Sequence, residues 1–81
     1  MPPLSELPGE ISRHEFLHAL RRLGFQIDEK GGDGSHCKIT WPKTQKSVTI
    51  QQHLPKQVLK YILRQIEIAS EVTWYQIKEK M

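Results

Sequence analysis

Apolar residues recur along this chain with two different periods, and the switches between them mark out the elements. Phe16, Leu17, Leu20 and Leu23 fall at helical spacing and form one apolar face. Ser12 precedes them, with Glu15 three residues on. That is the capping-box pattern: the hydroxyl takes a free backbone N–H and the carboxylate reaches back. Gly24 ends the helix, as a residue free to adopt the left-handed conformation should. The period then drops to two. Phe25-Gln26-Ile27-Asp28-Glu29 alternates and predicts a first strand. The cluster Gly31-Gly32-Asp33-Gly34 predicts a turn. Beyond it Cys37, Ile39 and Trp41 point one way, while His36, Lys38 and Thr40 point the other. Two such runs joined by glycines predict a hairpin. Pro42-Lys43-Thr44-Gln45-Lys46 predicts a polar turn. Ser47-Val48-Thr49-Ile50 follows as a third strand, with Val48 and Ile50 inward.

The helical period then returns. Pro55 suits the first position of a second helix, where its missing N–H costs nothing, although Leu54 before it is a poor cap. Val58, Leu59, Ile62, Leu63 and Ile66 give its apolar face, and Lys56, Lys60 and Arg64 make a basic row on another. Ser70 is the candidate cap of a short last helix through about Lys80. Val72 and Tyr75 are its expected packing side, with Trp74 and Ile77 as further candidates. Trp74 and Tyr75 are adjacent and cannot both bury on one helix face. The pattern leaves open whether residues 70–81, the C-terminal helical tail, dock on the domain or serve a partner. Residues 1–10, with three prolines and Gly9, read as an irregular lead-in from which Leu4 or Leu7 is available to the core.

The expected fold is therefore α+β, in the order α-β-β-β-α plus a short C-terminal helix. A three-stranded antiparallel sheet with helices packed on one face is the economical arrangement. It is the topology of the double-stranded RNA-binding domain. At 81 residues the chain makes one domain, residues 1–81, with a thin core and no room for a deep cavity. A site on it should be a shallow surface suited to a polymer or a protein. The single cysteine, Cys37, rules out a disulfide framework within the chain and fits a reducing compartment. Met1-Pro2-Pro3-Leu4 lacks the pattern of a signal peptide, and no apolar run approaches the ~20 residues that span a bilayer. A cytoplasmic protein with no membrane partner is expected.

Charge sharpens this picture. The net charge is only +3, but from Gly34 to Ile66 there is no Asp or Glu, while Lys38, Lys43, Lys46, Lys56, Lys60 and Arg64 fall in that interval. Segregated positive charge is the footprint of a phosphate-backbone binder. Within it His36 is the outstanding chemical group, since imidazole moves protons near neutral pH. Lys38 shares its face of the strand and is placed to stabilise developing negative charge. Ser35 is a candidate phosphate contact. Lys60 and Arg64 would add charge if their helix edge lay near. His14 and His18 share a helix face with Arg21 and Arg22, but no further ligand has convincing spacing, so no metal is expected. His53 in the strand-to-helix loop is read as a local hydrogen-bond acceptor rather than an RNA contact, and Trp41 as core.

The ordered set Leu20-Arg21-Arg22-Leu23-Gly24-Phe25, Gly34-Ser35-His36, Val48-Thr49-Ile50 with His53, and Ile62-Leu63-Arg64-Gln65 resembles the HicA family of small toxins. The set covers most of residues 11 to 78. The resemblance implies an mRNA interferase with a dsRBD-like fold, acting on mRNA without a metal or other cofactor and paired with a HicB antitoxin. It places the catalytic histidine of the Gly-Ser-His motif at His36. The chain departs from the family pattern at Gln57-Val58-Leu59, at Gln65-Ile66-Glu67 and at Asp33, which sets a negative charge beside the motif. Two rival functions use the same fold: a non-catalytic RNA-binding module, and an inactive protein-interaction domain whose working surface is the Trp74-Tyr75 tail.

Overall fold

The computed structural model describes residues 3–29 and 36–81. Its elements are a 3₁₀ turn at Leu4–Glu6, then α1 (Arg13–Leu23), β1 (Gln26–Asp28), β2 (His36–Trp41), β3 (Lys46–Gln51), α2 (Lys56–Ser70) and α3 (Trp74–Lys80). The three strands form one antiparallel sheet in the order β1-β2-β3. The architecture is the α+β, dsRBD-like one that the alternation of periods predicts. The Gly31–Gly34 turn, with Asp33 and Ser35, lies outside the described residues.

Alternation fixes which side of the sheet is covered. Cys37, Ile39, Val48 and Ile50 are buried together with Phe16 and Leu20 of α1 and Leu59, Ile62, Leu63 and Ile66 of α2 in one core. Both helices therefore lie on the face to which these strand residues point. Trp41 completes that face at the sheet's end, its ring 4.7 Å from that of Phe25.

The start of α1 follows from its cap: the Glu15 backbone N–H donates to Ser12 Oγ at 3.4 Å. Its end follows from Gly24, at φ 112°, whose N–H reaches back to the Arg21 carbonyl. A Cβ at Gly24 would meet Trp41 only at ordinary contact distance, 3.6 Å. The cost of Gly24→Ala is therefore backbone strain rather than collision. We expect it to lower stability by about 1–2 kcal/mol, read as a fall in the urea midpoint with an unchanged slope.

The structure corrects four local expectations. Pro55 is the N-cap of α2 rather than its first helical residue, with Lys56 taking that place. In the extended conformation Pro55 also makes a bridge with Glu10. Ser70 does not open the last helix. Its hydroxyl donates to the Ile66 carbonyl at 2.7 Å and accepts from the Val72 N–H at 3.2 Å, closing α2. Thr73 caps α3 instead, in a full capping box with Gln76, because Glu71 in the left-handed conformation first turns the chain. Tyr75 points outward, while Val72, Trp74 and Ile77 are buried. Finally, the lead-in is less irregular than its prolines suggest. It forms the 3₁₀ turn, buries Leu7 while Leu4 stays exposed, and receives a 2.7 Å hydrogen bond from the Tyr75 hydroxyl at Glu6 Oε2. That bond pushes the Tyr75 phenol up from its ordinary range. The tail docks: α3 packs on α1.

Candidate functional site

The uncovered face of the sheet is polar from edge to edge. The same alternation that buries Cys37 and Ile39 turns His36, Lys38 and Thr40 outward on β2. Register supplies their neighbours. His36 is opposite Gln51, Lys38 lies between Asp28 and Thr49, and Thr40 lies between Gln26 and Ser47. Thr40 and Ser47 join their hydroxyls at 2.9 Å. This face therefore carries a polar surface of eight side chains with no apolar residue among them.

His36 opens the central strand and is half-buried. Lys38 is exposed on the same face, two residues on. Directly opposed residues in an antiparallel pair hold their Cβ atoms roughly 4.5–5.5 Å apart. The Asp28 carboxylate thus shares the middle row with the Lys38 ammonium. Neither run shows this pairing by itself, because it depends on the register of the hairpin. Between them Cys37 points into the core, where burial raises its thiol pKa and keeps it out of the chemistry of the outer face.

Lys60 and Arg64 are not brought together with His36. They ride on α2, which covers the opposite face of the sheet. The acid-free run from Gly34 to Ile66 is likewise continuous in sequence but divided in space. Lys38 lies on the outer face, Lys43 and Lys46 at the β2–β3 turn, and Lys56, Lys60 and Arg64 on α2. The β2–β3 turn is tied to the far end of α2 by Thr44 Oγ1, which donates to the Ala69 carbonyl at 2.8 Å. This runs α2 antiparallel to β3 and sets its N-terminus at the His36 end of the sheet.

His53 is highly exposed and faces Glu10 with 4.0 Å between Nδ1 and Oε2. His14 and His18 are exposed on α1, where with Glu15 they line a shallow recess. Among the described residues no three His, Cys, Asp or Glu side chains converge as a metal site. Among them, too, no helix is long and apolar enough to cross a membrane.

No curated protein and no solved structure matches this chain. The family model described as HicA toxin of bacterial toxin-antitoxin matches residues 13–68, from the first residue of α1 through the sheet and most of α2. That span is more than half of the sequence and contains His36, Lys38 and the whole polar face. The chain belongs to the HicA toxin family of bacterial toxin–antitoxin systems.

Proposed function

We propose that this protein is an mRNA interferase: a cytoplasmic endoribonuclease that cuts mRNA at the outer face of its sheet and is held in check by a HicB-like antitoxin. The observation that carries the reading is the position of His36. In a chain of the HicA family, the histidine of the Gly-Ser-His motif opens the central strand on the uncovered face, with Lys38 beside it.

The chemistry suits so small a site. RNA carries its own nucleophile, since the ribose 2′-OH can attack the adjacent phosphorus. That attack forms a phosphorane-like transition state, and the 5′-oxygen of the next nucleotide leaves. The protein need only move a proton and balance charge. His36 takes the proton from the 2′-OH or gives one to the leaving oxygen. Lys38 offers its ammonium to the non-bridging oxygens, where negative charge grows. Ser35 is the proposed phosphate contact next to the histidine. Neither role calls for a deep pocket, and an uncovered polar sheet face is open to a single strand of RNA. An antitoxin that covers this face would block substrate and catalyst together.

The test is cleavage of a single-stranded RNA by the purified chain in the presence of EDTA. We expect cutting to persist under chelation, to leave 2′,3′-cyclic phosphate ends, and to stop when the ribose at the cut site is replaced by 2′-deoxyribose. Salt-dependent binding of RNA with no cleavage under any condition would select the non-catalytic binding module instead.

A further inference from the structure

A second surface lies on the other side of the molecule. The outward side of α2 carries Tyr61 and Ile68, which are 65 % and 61 % exposed although both are large and apolar. They are seven residues apart, two helical turns, so they stand on one face, off the buried stripe of Leu59, Ile62, Leu63 and Ile66. A shallow groove runs between them, edged by Lys60 and Arg64 toward the N-terminal end and by Glu67 and Glu71 toward the C-terminal end.

The order of these charges is the informative feature. Lys60, Arg64 and Glu67 on α2, with Glu71 at its C-cap, come at spacings of four, three and four, reading basic, basic, acidic, acidic. The row changes sign on inversion about its centre, between Gln65 and Ile66. Two copies of α2 laid antiparallel about a two-fold axis at that point would set Lys60 against Glu71 of the other copy and Arg64 against Glu67. Tyr61 and Ile68 have their own midpoint one residue away, so the same axis brings the tyrosine of one copy over the isoleucine of the other. A two-fold contact must be self-complementary, and this face is so in both charge and apolar content. A uniformly acidic or basic partner would meet like charge at one half of the row.

We propose that the outer face of α2 is a self-association surface, through which two copies of this chain pair antiparallel about a two-fold axis near Gln65. The inference does not draw on the RNA-cleaving reading. The face lies on the opposite side of the sheet from His36, so both outer sheet faces stay open in the pair. It gives Lys60 and Arg64 a role other than meeting the scissile phosphate.

Sedimentation equilibrium of the full chain, from about 1 µM to about 1 mM, covers the range in which so short a contact associates. Two charge variants carry the test: an acidic face, Lys60→Glu with Arg64→Glu, and a basic face, Glu67→Lys with Glu71→Lys. We expect the wild type to dimerise and each variant alone to associate at least about tenfold more weakly, because like charges now oppose across the axis. An equimolar mixture of the two variants should recover association, which a merely misfolded variant could not do. Tyr61→Glu, at a well-exposed position, should weaken the dimer with no change in the far-UV circular dichroism. A wild type that stays monomeric throughout overturns the proposal. So does a pair of variants that dimerise as well as wild type, or a mixture that associates no better than either variant alone. Loss of antitoxin binding in these variants from a monomeric wild type overturns it as well, and would give the face to the antitoxin.

Discussion

Replacing His36 with alanine is expected to lower RNA cleavage by about 10²–10⁴-fold, the usual worth of a positioned proton-transfer group. The protein should stay folded. His36 lies on the uncovered side of β2, while the packing of that strand is carried by Cys37 and Ile39 on the other side. A substitution outside the core costs little, so a stability change within roughly 1 kcal/mol is expected. The measurement pairs single-turnover cleavage with circular dichroism of both proteins. In bacteria the wild type should arrest growth and shorten bulk mRNA, and the folded variant should do neither. A folded His36→Ala chain that cleaves at the wild-type rate would remove His36 from the mechanism. RNA binding should survive the change, because Lys38 and the hydroxyl-bearing rows of the face remain.

The local elements were legible in the sequence because each is set by near neighbours. Ser12 and Gly24 mark the ends of α1 through bonds within one turn, and the alternation from His36 to Trp41 assigns each side chain of β2 to a face. What needed the third dimension was less legible. Ser70 and Thr73 are both acceptable caps, and the choice rests on Glu71 adopting a positive φ, which its identity does not announce. Trp74 and Tyr75 compete for one inward direction. Trp74 takes it, and Tyr75 lies outward, where its hydroxyl meets Glu6, nearly the whole chain away. Lys60 and Arg64 bear on the candidate site only if their helix edge lies near it, and charge in sequence carries no label for the layer on which it will lie. The partners of Lys38 needed the register, which sets Asp28 and Thr49 on either side. The face of Tyr61 and Ile68 is marked in the sequence only by two apolar residues seven apart and off the buried stripe.

Trp74→Ala is expected to destabilise the protein by about 3–5 kcal/mol, as truncation of a buried aromatic residue usually does. For a domain of this size the whole stability is roughly 4–12 kcal/mol, so the variant should sit close to its unfolding threshold. The family match ends at Ile68, inside α2, and α3 lies beyond it. Seven residues are too few for a helix that stands alone. α3 holds because Thr73 and Gln76 cap it and because Trp74 and Ile77 are buried where it packs on α1. Without that packing the flank of α1 is uncovered, and α1 supports the inner face of the sheet. One detail makes the test sharper. Trp74 is only 4 % exposed, and its indole N–H has no hydrogen-bond partner among the described residues. A buried unpaired donor costs about 1–3 kcal/mol. Trp74→Phe removes that cost while giving up part of the ring volume, and the two terms oppose each other. The phenylalanine variant should therefore lie within about 1 kcal/mol of wild type. Urea unfolding followed by far-UV circular dichroism measures both variants without relying on the lost tryptophan. At temperatures where Trp74→Ala is still folded, its RNA cleavage per folded molecule should match wild type, since His36 and Lys38 are on the far side of the sheet. An alanine variant as stable as wild type would make α3 an appendage rather than a part of the domain.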